Sequence, residues 1–286
     1  MKKLLYQFDT DALPAVFDNV VAYDGGADHV TAYGAVKADN VAALVEGAIF
    51  TRGPKDKKNT AIFIGGSNMA EGESVLAAVQ RKFFAQFRVS VMFDCNGSNT
   101  TAAAAVAWLA HGRRLTGTRA VVLAGSGPVG QRAAVLLARE GVRVAITGRK
   151  RAAVQTACEL IRRQFGVDAE AIEAPTHAER GAAIAGAQIV LATGAAGINL
   201  LEAGQWQDNA TLELVADANA SPPAGIEGVG LGDRGVQRHG KTLFGPLGVG
   251  ALKLALHRAC IARLFEQNDL VLDAEEIYRI AKSMVG

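Results

Sequence analysis

Val121-Val122-Leu123-Ala124-Gly125-Ser126-Gly127-Pro128-Val129-Gly130 decides how this chain folds. An apolar run enters G-x-G-x-x-G, and residues 131–140 continue at helical spacing with Ala133, Ala134, Leu136, Leu137 and Ala138 as the apolar face. A further apolar run follows at 142–147. In a strand–loop–helix–strand unit of this kind the first glycine allows the tight turn and the second lets backbone approach a pyrophosphate. The third lets helix and strand close together, and the helix N-terminus favours negative charge. The stretch reads as a dinucleotide-binding βαβ unit, with Gly125, Ser126, Gly127, Pro128, Val129 and Gly130 as cofactor-binding residues.

The end of the second strand selects the dinucleotide. An NAD site places Asp or Glu there, about 20 residues into the motif, to bind the ribose 2′-OH. Here the chain reads Gly148-Arg149-Lys150-Arg151. Arg149 offers a bidentate fork and Lys150 a point charge to a 2′-phosphate, and cations at a helix start are otherwise opposed by the macrodipole. The expected cofactor is therefore NADP, with Gly148, Arg149 and Lys150 at its 2′-phosphate. Thr193-Gly194-Ala195 and Asp217-Ala218-Asn219 each follow a later strand. Ligands of open α/β sheets sit at the carboxyl ends of strands, so Thr193, Gly194, Ala195, Asp217 and Asn219 join the expected cofactor rim.

Outward from this unit, strand-like and helical patterns alternate nearly throughout, as in α/β proteins with parallel sheets. Strands are expected at 4–8, 60–64, 89–93, 120–124, 142–147, 170–173, 189–193 and 212–216, and helices at 40–49, 69–84, 100–111, 128–140, 151–165, 249–267 and 274–285. Residues 221–248, rich in Gly and Pro, read as loop. The expected organisation is an N-terminal α/β domain over 1–112, a Rossmann-like doubly wound parallel sheet over 113–248, and C-terminal helices at 249–286 that return to the first domain.

Composition narrows the function. Lys and Arg number 30 against 28 Asp and Glu, so no electrostatic pull toward nucleic acid is expected, and no apolar run approaches the roughly 20 residues that span a bilayer. Three separated cysteines, Cys95, Cys158 and Cys260, make neither a disulfide framework nor a zinc pattern, which suits a reducing cytoplasm. The acids Asp9 and Asp11 interrupt the N-terminal apolar run before a signal peptide could form. Five scattered histidines give no metal motif. Residues 235–242 match the Walker A spacing but have no strand before them and no helix after, so a P-loop is declined. Tyr33 and Lys37 have Y-x-x-x-K spacing with Gly34 inside, about 90 residues ahead of the glycine loop, which is the wrong place for a short-chain dehydrogenase pair. The 32 glycines exceed the usual share of about 7% and point to backbone held close to something.

Longer strings carry a more specific resemblance. Gln7-Phe8-Asp9-Thr10-Asp11, Tyr23-Asp24-Gly25-Gly26-Ala27-Asp28-His29, Asn96-Gly97-Ser98-Asn99-Thr100-Thr101-Ala102, the stretch from Val121 to Gly130, Gly148-Arg149-Lys150, Pro222-Pro223 and Leu252-Lys253 are similar to the NADP-dependent methylene-tetrahydromethanopterin dehydrogenases of methylotrophic bacteria. Some members of that family also accept methylene-tetrahydrofolate. The resemblance spans nearly the whole chain. It implies a cytoplasmic homo-oligomer of one-carbon metabolism, with NADP on the Rossmann domain and the pterin in a cleft between domains. Related bifunctional folate enzymes use Tyr-x-x-x-Lys for a cyclohydrolase step. The residues around Tyr33 and Lys37 are not theirs, and no such activity is expected.

Hydride loss from a carbon bridging two pterin nitrogens is driven by the nitrogen lone pairs, so no general base is required and positioning dominates. Lys253, alone on a helix of Leu, Ala and Val, is the candidate catalytic residue, binding a pterin carbonyl or acting with a lowered pKa; a lysine snorkelling to solvent is the alternative. Asp94, Asn99 and Thr100, at the end of an N-terminal strand, and Asp24, in a glycine loop, are candidate substrate-binding residues. For the first three, helix capping is the competing role. Two other functional classes share this plan: a shikimate- or amino-acid-type NADP dehydrogenase, for which Lys37 and Asp94 would be the proton-transfer pair, and a non-catalytic NADP sensor.

Overall fold

A computed structural model describes residues 1–285. In chain order the first elements are β1 (Leu4–Asp9), α1 (Val16–Asp24), β2 (His29–Tyr33), α2 (Ala42–Phe50), β3 (Thr60–Gly65), α3 (Met69–Arg81), β4 (Ser90–Phe93) and α4 (Ser98–Ala110). There follow β5 (Arg119–Leu123), α5 (Pro128–Arg139), β6 (Arg143–Gly148), α6 (Arg151–Phe165), β7 (Glu170–Glu173), α7 (His177–Ala183), β8 (Ile189–Ala192), α8 (Ala203–Trp206) and β9 (Leu214–Asp217). The chain ends with β10 (Arg234–Arg238), β11 (Lys241–Phe244), α9 (Pro246–Arg263), β12 (Val271–Leu272) and α10 (Ala274–Val285).

Two compact units result: residues 1–100 with 254–280, and residues 101–253 with 281–285. In the first, a five-stranded sheet has the order β12-β4-β3-β1-β2 with every pairing parallel. All six residues of β3 are buried, as a central parallel strand covered on both faces requires. Phe8, Ile62, Ile64, Val91 and Phe93 pack there with Val45, Ile49, Val75 and Val79 from the helices. The order reverses between β1 and β3.

The second unit holds a seven-stranded sheet of order β10-β11-β9-β8-β5-β6-β7. From β7 to β11 all pairings are parallel. Counting only the parallel strands from β5, with β11 as the sixth, this is the 3-2-1-4-5-6 order of the Rossmann fold, whose switch point lies between β5 and β8; β10 adds an antiparallel edge. Val121, Leu123, Val190, Ala192, Val215, Leu243 and Trp206 form its core.

The expected strands correspond to β1 and β3 through β9, with ends shifted by at most two residues. The loop expected at 221–248 is corrected: it contains the antiparallel hairpin β10–β11. Arg238 pairs with Lys241 around His239 and Gly240, both at positive φ (52° and 69°), the conformation of a two-residue hairpin turn. The Walker-like residues 235–242 therefore form a hairpin. Lys241 Nζ donates to the backbone oxygens of Gln207 and His239.

Candidate functional site

The β5–α5 loop lies at the switch point of the second sheet, and three contacts fix it. Ala124 takes a positive φ of 53°, and its N–H donates to Thr147 Oγ1 on β6 at 3.1 Å. Gln131 Nε2 donates to the Ser126 carbonyl at 2.7 Å. Beyond β8, Thr193 Oγ1 donates to Leu123 O at 3.0 Å. Thr147 and Gln131 were not among the expected site residues. Their only signal in sequence is a hydroxyl ending an apolar strand and an amide in the first helical turn.

The three glycines face different surroundings. A Cβ on Gly125 would stand 2.7 Å from Ile146 Cβ, and one on Gly130 would stand 2.5 Å from Gly125 Cα and 2.7 Å from Thr193 Oγ1. On Gly127 it would meet nothing closer than Ala124 O at 3.8 Å. Two glycines are thus required by packing, while the third borders open space at the N-terminus of α5. That terminus begins with Pro128 and has no side-chain cap. An uncapped helix start beside a backbone without Cβ is a cradle for a phosphate. The residues present fit a dinucleotide.

The end of β6 has the same character. Gly148 is its last residue, α6 starts without a side-chain cap or an acid in its first turn, and Arg149, Lys150 and Arg151 are exposed. Among the described residues neither Arg149 nor Lys150 takes part in an ion pair. Thr193 and Gly194 are half-buried and Ala195 exposed, and a Cβ on Gly194 would meet the end of the Leu200 side chain, its Cδ1, at 2.9 Å.

Asp217 and Asn219 organise the loop beyond β9. Asp217 is wholly buried, and its carboxylate accepts from the N–H groups of Asn219 at 2.9 Å and Ile226 at 3.1 Å. Burial pushes its carboxyl above the usual range, while these backbone N–H groups and that of Gly225 pull the other way. Asn219 Nδ2 donates to Pro223 O at 3.2 Å, and its Oδ1 accepts from Ser221 N at 3.1 Å. A Cβ on Gly225 would stand 2.6 Å from Asp217 Oδ1, one on Gly245 would collide with Gly230 O, and one on Gly248 with Asp233 O. Close packing thus accounts for Gly225, Gly245 and Gly248.

In the first unit, Asp94, Asn99 and Thr100 come together at the end of β4. Asp94 Oδ1 accepts from the N–H groups of Asn99 (2.8 Å) and Thr100 (3.1 Å), and its Oδ2 from Thr100 Oγ1 (2.6 Å). Asn99 Nδ2 donates to Phe93 O at 2.6 Å and to Asp273 Oδ1 at 2.9 Å. All three candidates are at most 1% exposed, and this carboxylate caps α4. The turn that permits it puts Asn96 and Gly97 at φ values of 56° and 59°. Asp24 is apart from them, exposed and paired with Arg258 at 2.6 Å. Lys253, the candidate catalytic residue, lies half-buried on α9 as the last residue of the second unit before Leu254. Burial, followed by the charge of Asp94, raises the thiol pKa of Cys95 and of Cys260, so neither is a ready nucleophile. Among the described residues no group of His, Cys, Asp and Glu could hold a metal ion, and no helix is long and apolar enough to cross a membrane.

Comparison with known proteins agrees with this geometry. Residues 16–96 match the family described as methylene-tetrahydromethanopterin dehydrogenase, N-terminal. The chain is 55% identical over 285 residues to "Bifunctional protein MdtA" of Methylorubrum extorquens, covering 99% of each. It is 32% identical over 280 residues to the NAD(P)-dependent methylenetetrahydromethanopterin dehydrogenase of the same organism, covering 94% of each. Among solved structures, a shikimate 5-dehydrogenase from Mycobacterium fortuitum shares the fold with a TM-score of 0.56 at 18% identity over 98% of each chain. A quinate dehydrogenase from Corynebacterium glutamicum, in complex with NAD, does so with 0.54 at 14% over 99% of each. The chain belongs to the methylene-tetrahydromethanopterin dehydrogenase family.

Proposed function

We propose that this protein is an oxidoreductase that transfers hydride from the methylene carbon of methylene-tetrahydromethanopterin to NADP, leaving the methenyl pterin. The carrying observation is full-length similarity to the pterin dehydrogenases in a chain whose glycine loop is open at Gly127. NADP supplies the hydride acceptor, and the chain's own residues bind, orient and exclude water. The N–H groups at the start of α5 would hold the pyrophosphate, and Arg149 and Lys150 would hold the 2′-phosphate. Lys253 is the proposed catalytic residue, holding a pterin carbonyl. Because a cation beside a carbon that develops positive charge opposes hydride loss, its ammonium belongs at the far side of the ring rather than at the reacting carbon.

Asp94, Asn99 and Thr100 support this by fixing the turn after β4, and Asp24, which ends α1 rather than lying in a glycine loop, ties that helix end to Arg258. We further place the protein in the cytoplasm of a one-carbon-metabolising, methylotrophic cell, as a homo-oligomer. Methylene-tetrahydrofolate is a second substrate in this reading. Shikimate-type chemistry is less well supported: Lys37 is exposed whereas Asp94 is wholly buried against α4, and the likeness to shikimate dehydrogenases concerns the fold. A turnover assay with each pterin decides. Purified protein with NADP should produce methenyl absorbance and NADPH together, and failure with both pterins would refute the assignment.

A further inference from the structure

The end of β6 does more than lack an acid. A Cβ on Gly148 would stand 2.6 Å from Val154 Cγ2 and 3.2 Å from Ser126 Oγ. Val154 is fully buried in α6, so its methyl could shift only by disturbing the packing around it. The strand end that carries the ribose-binding carboxylate in NAD sites is therefore crowded here, and a side chain would have to displace its neighbours. The polar group beside that space is the Ser126 hydroxyl, half-buried in the glycine loop. Ser126 is held through its own carbonyl by Gln131, which leaves the hydroxyl out of that contact.

We infer that Ser126 Oγ is a specificity-determining donor to the ribose 2′-phosphate, working with Arg149 and Lys150, and that the Gly148–Val154 contact bars conversion to NAD by an acid at position 148. The inference rests on the NADP reading above. A hydroxyl donates one hydrogen bond to a phosphate oxygen and brings no charge, so it discriminates only in combination with the two cations that neutralise the dianion. A carboxylate at 148 would have to displace Val154 or the Ser126 hydroxyl before it could reach a ribose.

The test is equilibrium binding of NADP, NAD and 2′,5′-ADP by calorimetry to the wild type, Ser126→Ala and Gly148→Asp, with circular dichroism to confirm that each variant is folded. Ser126→Ala should weaken NADP and 2′,5′-ADP about tenfold, the loss of one hydrogen bond to a charged group, and leave NAD within about twofold. Gly148→Asp should weaken both dinucleotides without gaining NAD affinity; if it does not fold, Gly148→Ala serves, with the same expectation. Equal weakening of NADP and NAD by Ser126→Ala would place the hydroxyl on the pyrophosphate and overturn the inference. So would unchanged binding, or tighter NAD binding by Gly148→Asp. A wild type that binds NAD as tightly as NADP would instead refute the underlying cofactor reading.

Discussion

Gly130 and Gly125 touch backbone to backbone: a Cβ on Gly130 would stand 2.5 Å from the Cα of Gly125, so α5 starts as close to the β5 turn as two residues can come. Gly127, between them, has no such neighbour. The two positions are separable by experiment. Gly130→Ala overpacks the loop and should cost about 1–3 kcal/mol of stability. Gly127→Ala, at φ −78° and ψ 170°, should change stability by no more than about 0.5 kcal/mol. It should nevertheless weaken NADP binding at least tenfold, because its methyl enters the phosphate cradle. Denaturant unfolding and cofactor titration read the two effects. Strong NADP binding by Gly127→Ala would remove the cradle from the account.

The exposed pair Arg149 and Lys150 should separate the two dinucleotides. Replacing both by Ala should raise the Michaelis constant for NADP by about tenfold or more, as expected for lost charge-assisted contacts, while the NAD constant stays nearly constant. Initial rates at varied cofactor measure this. Equal effects on both cofactors would show that these cations serve only the solvated start of α6.

Asp94 should behave as a structural carboxylate. Asp94→Ala leaves the N–H groups of Asn99 and Thr100 without their acceptor and the Thr100 hydroxyl with only the long contact to Gly97 O, and should destabilise the protein by about 2–4 kcal/mol. Thr100→Val removes one of the three bonds and should cost about 1 kcal/mol. Urea midpoints provide the comparison. A normal midpoint together with a raised pterin Michaelis constant would assign Asp94 to the substrate instead.

For Lys253, Lys253→Met keeps an unbranched apolar stem and removes the charge. It should lower kcat/KM for the pterin by at least tenfold while the NADP dissociation constant stays within about twofold, since one charged hydrogen bond to the substrate is lost. A wild-type kcat/KM would take Lys253 out of the substrate site.

The second unit was the more legible half because its information is local. Gly125 to Gly130 follow one strand directly, and Gly148 ends the next, so motif and sheet order agree. The hairpin β10–β11 escaped because its turn is His239-Gly240 rather than Asn-Gly, and because β10 is an exposed edge with Gly235 inside it. In the first unit, α1 and β2 were not anticipated: α1 exposes Val16, Phe17, Val20 and Tyr23, and β2 is an edge strand with one buried residue. Their patterns lack a clean apolar face. The site residues divide in the same way. Arg149 and Lys150 were legible as unpaired charge, whereas the bonds from Asp94 to Thr100 and from Asp217 to Ile226 depend on turns that no spacing rule encodes. The role of Thr147 depends on the pairing of β6 with β5, which brings its hydroxyl to the Ala124 N–H.

The central claim is direct hydride transfer from the pterin methylene group. Methylene-tetrahydromethanopterin carrying two deuterons on that carbon should yield NADPH with one deuterium at nicotinamide C4 per methenyl pterin formed, whatever the solvent isotope. Reduced cofactor lacking the label, or label exchanged with solvent water, would contradict the account.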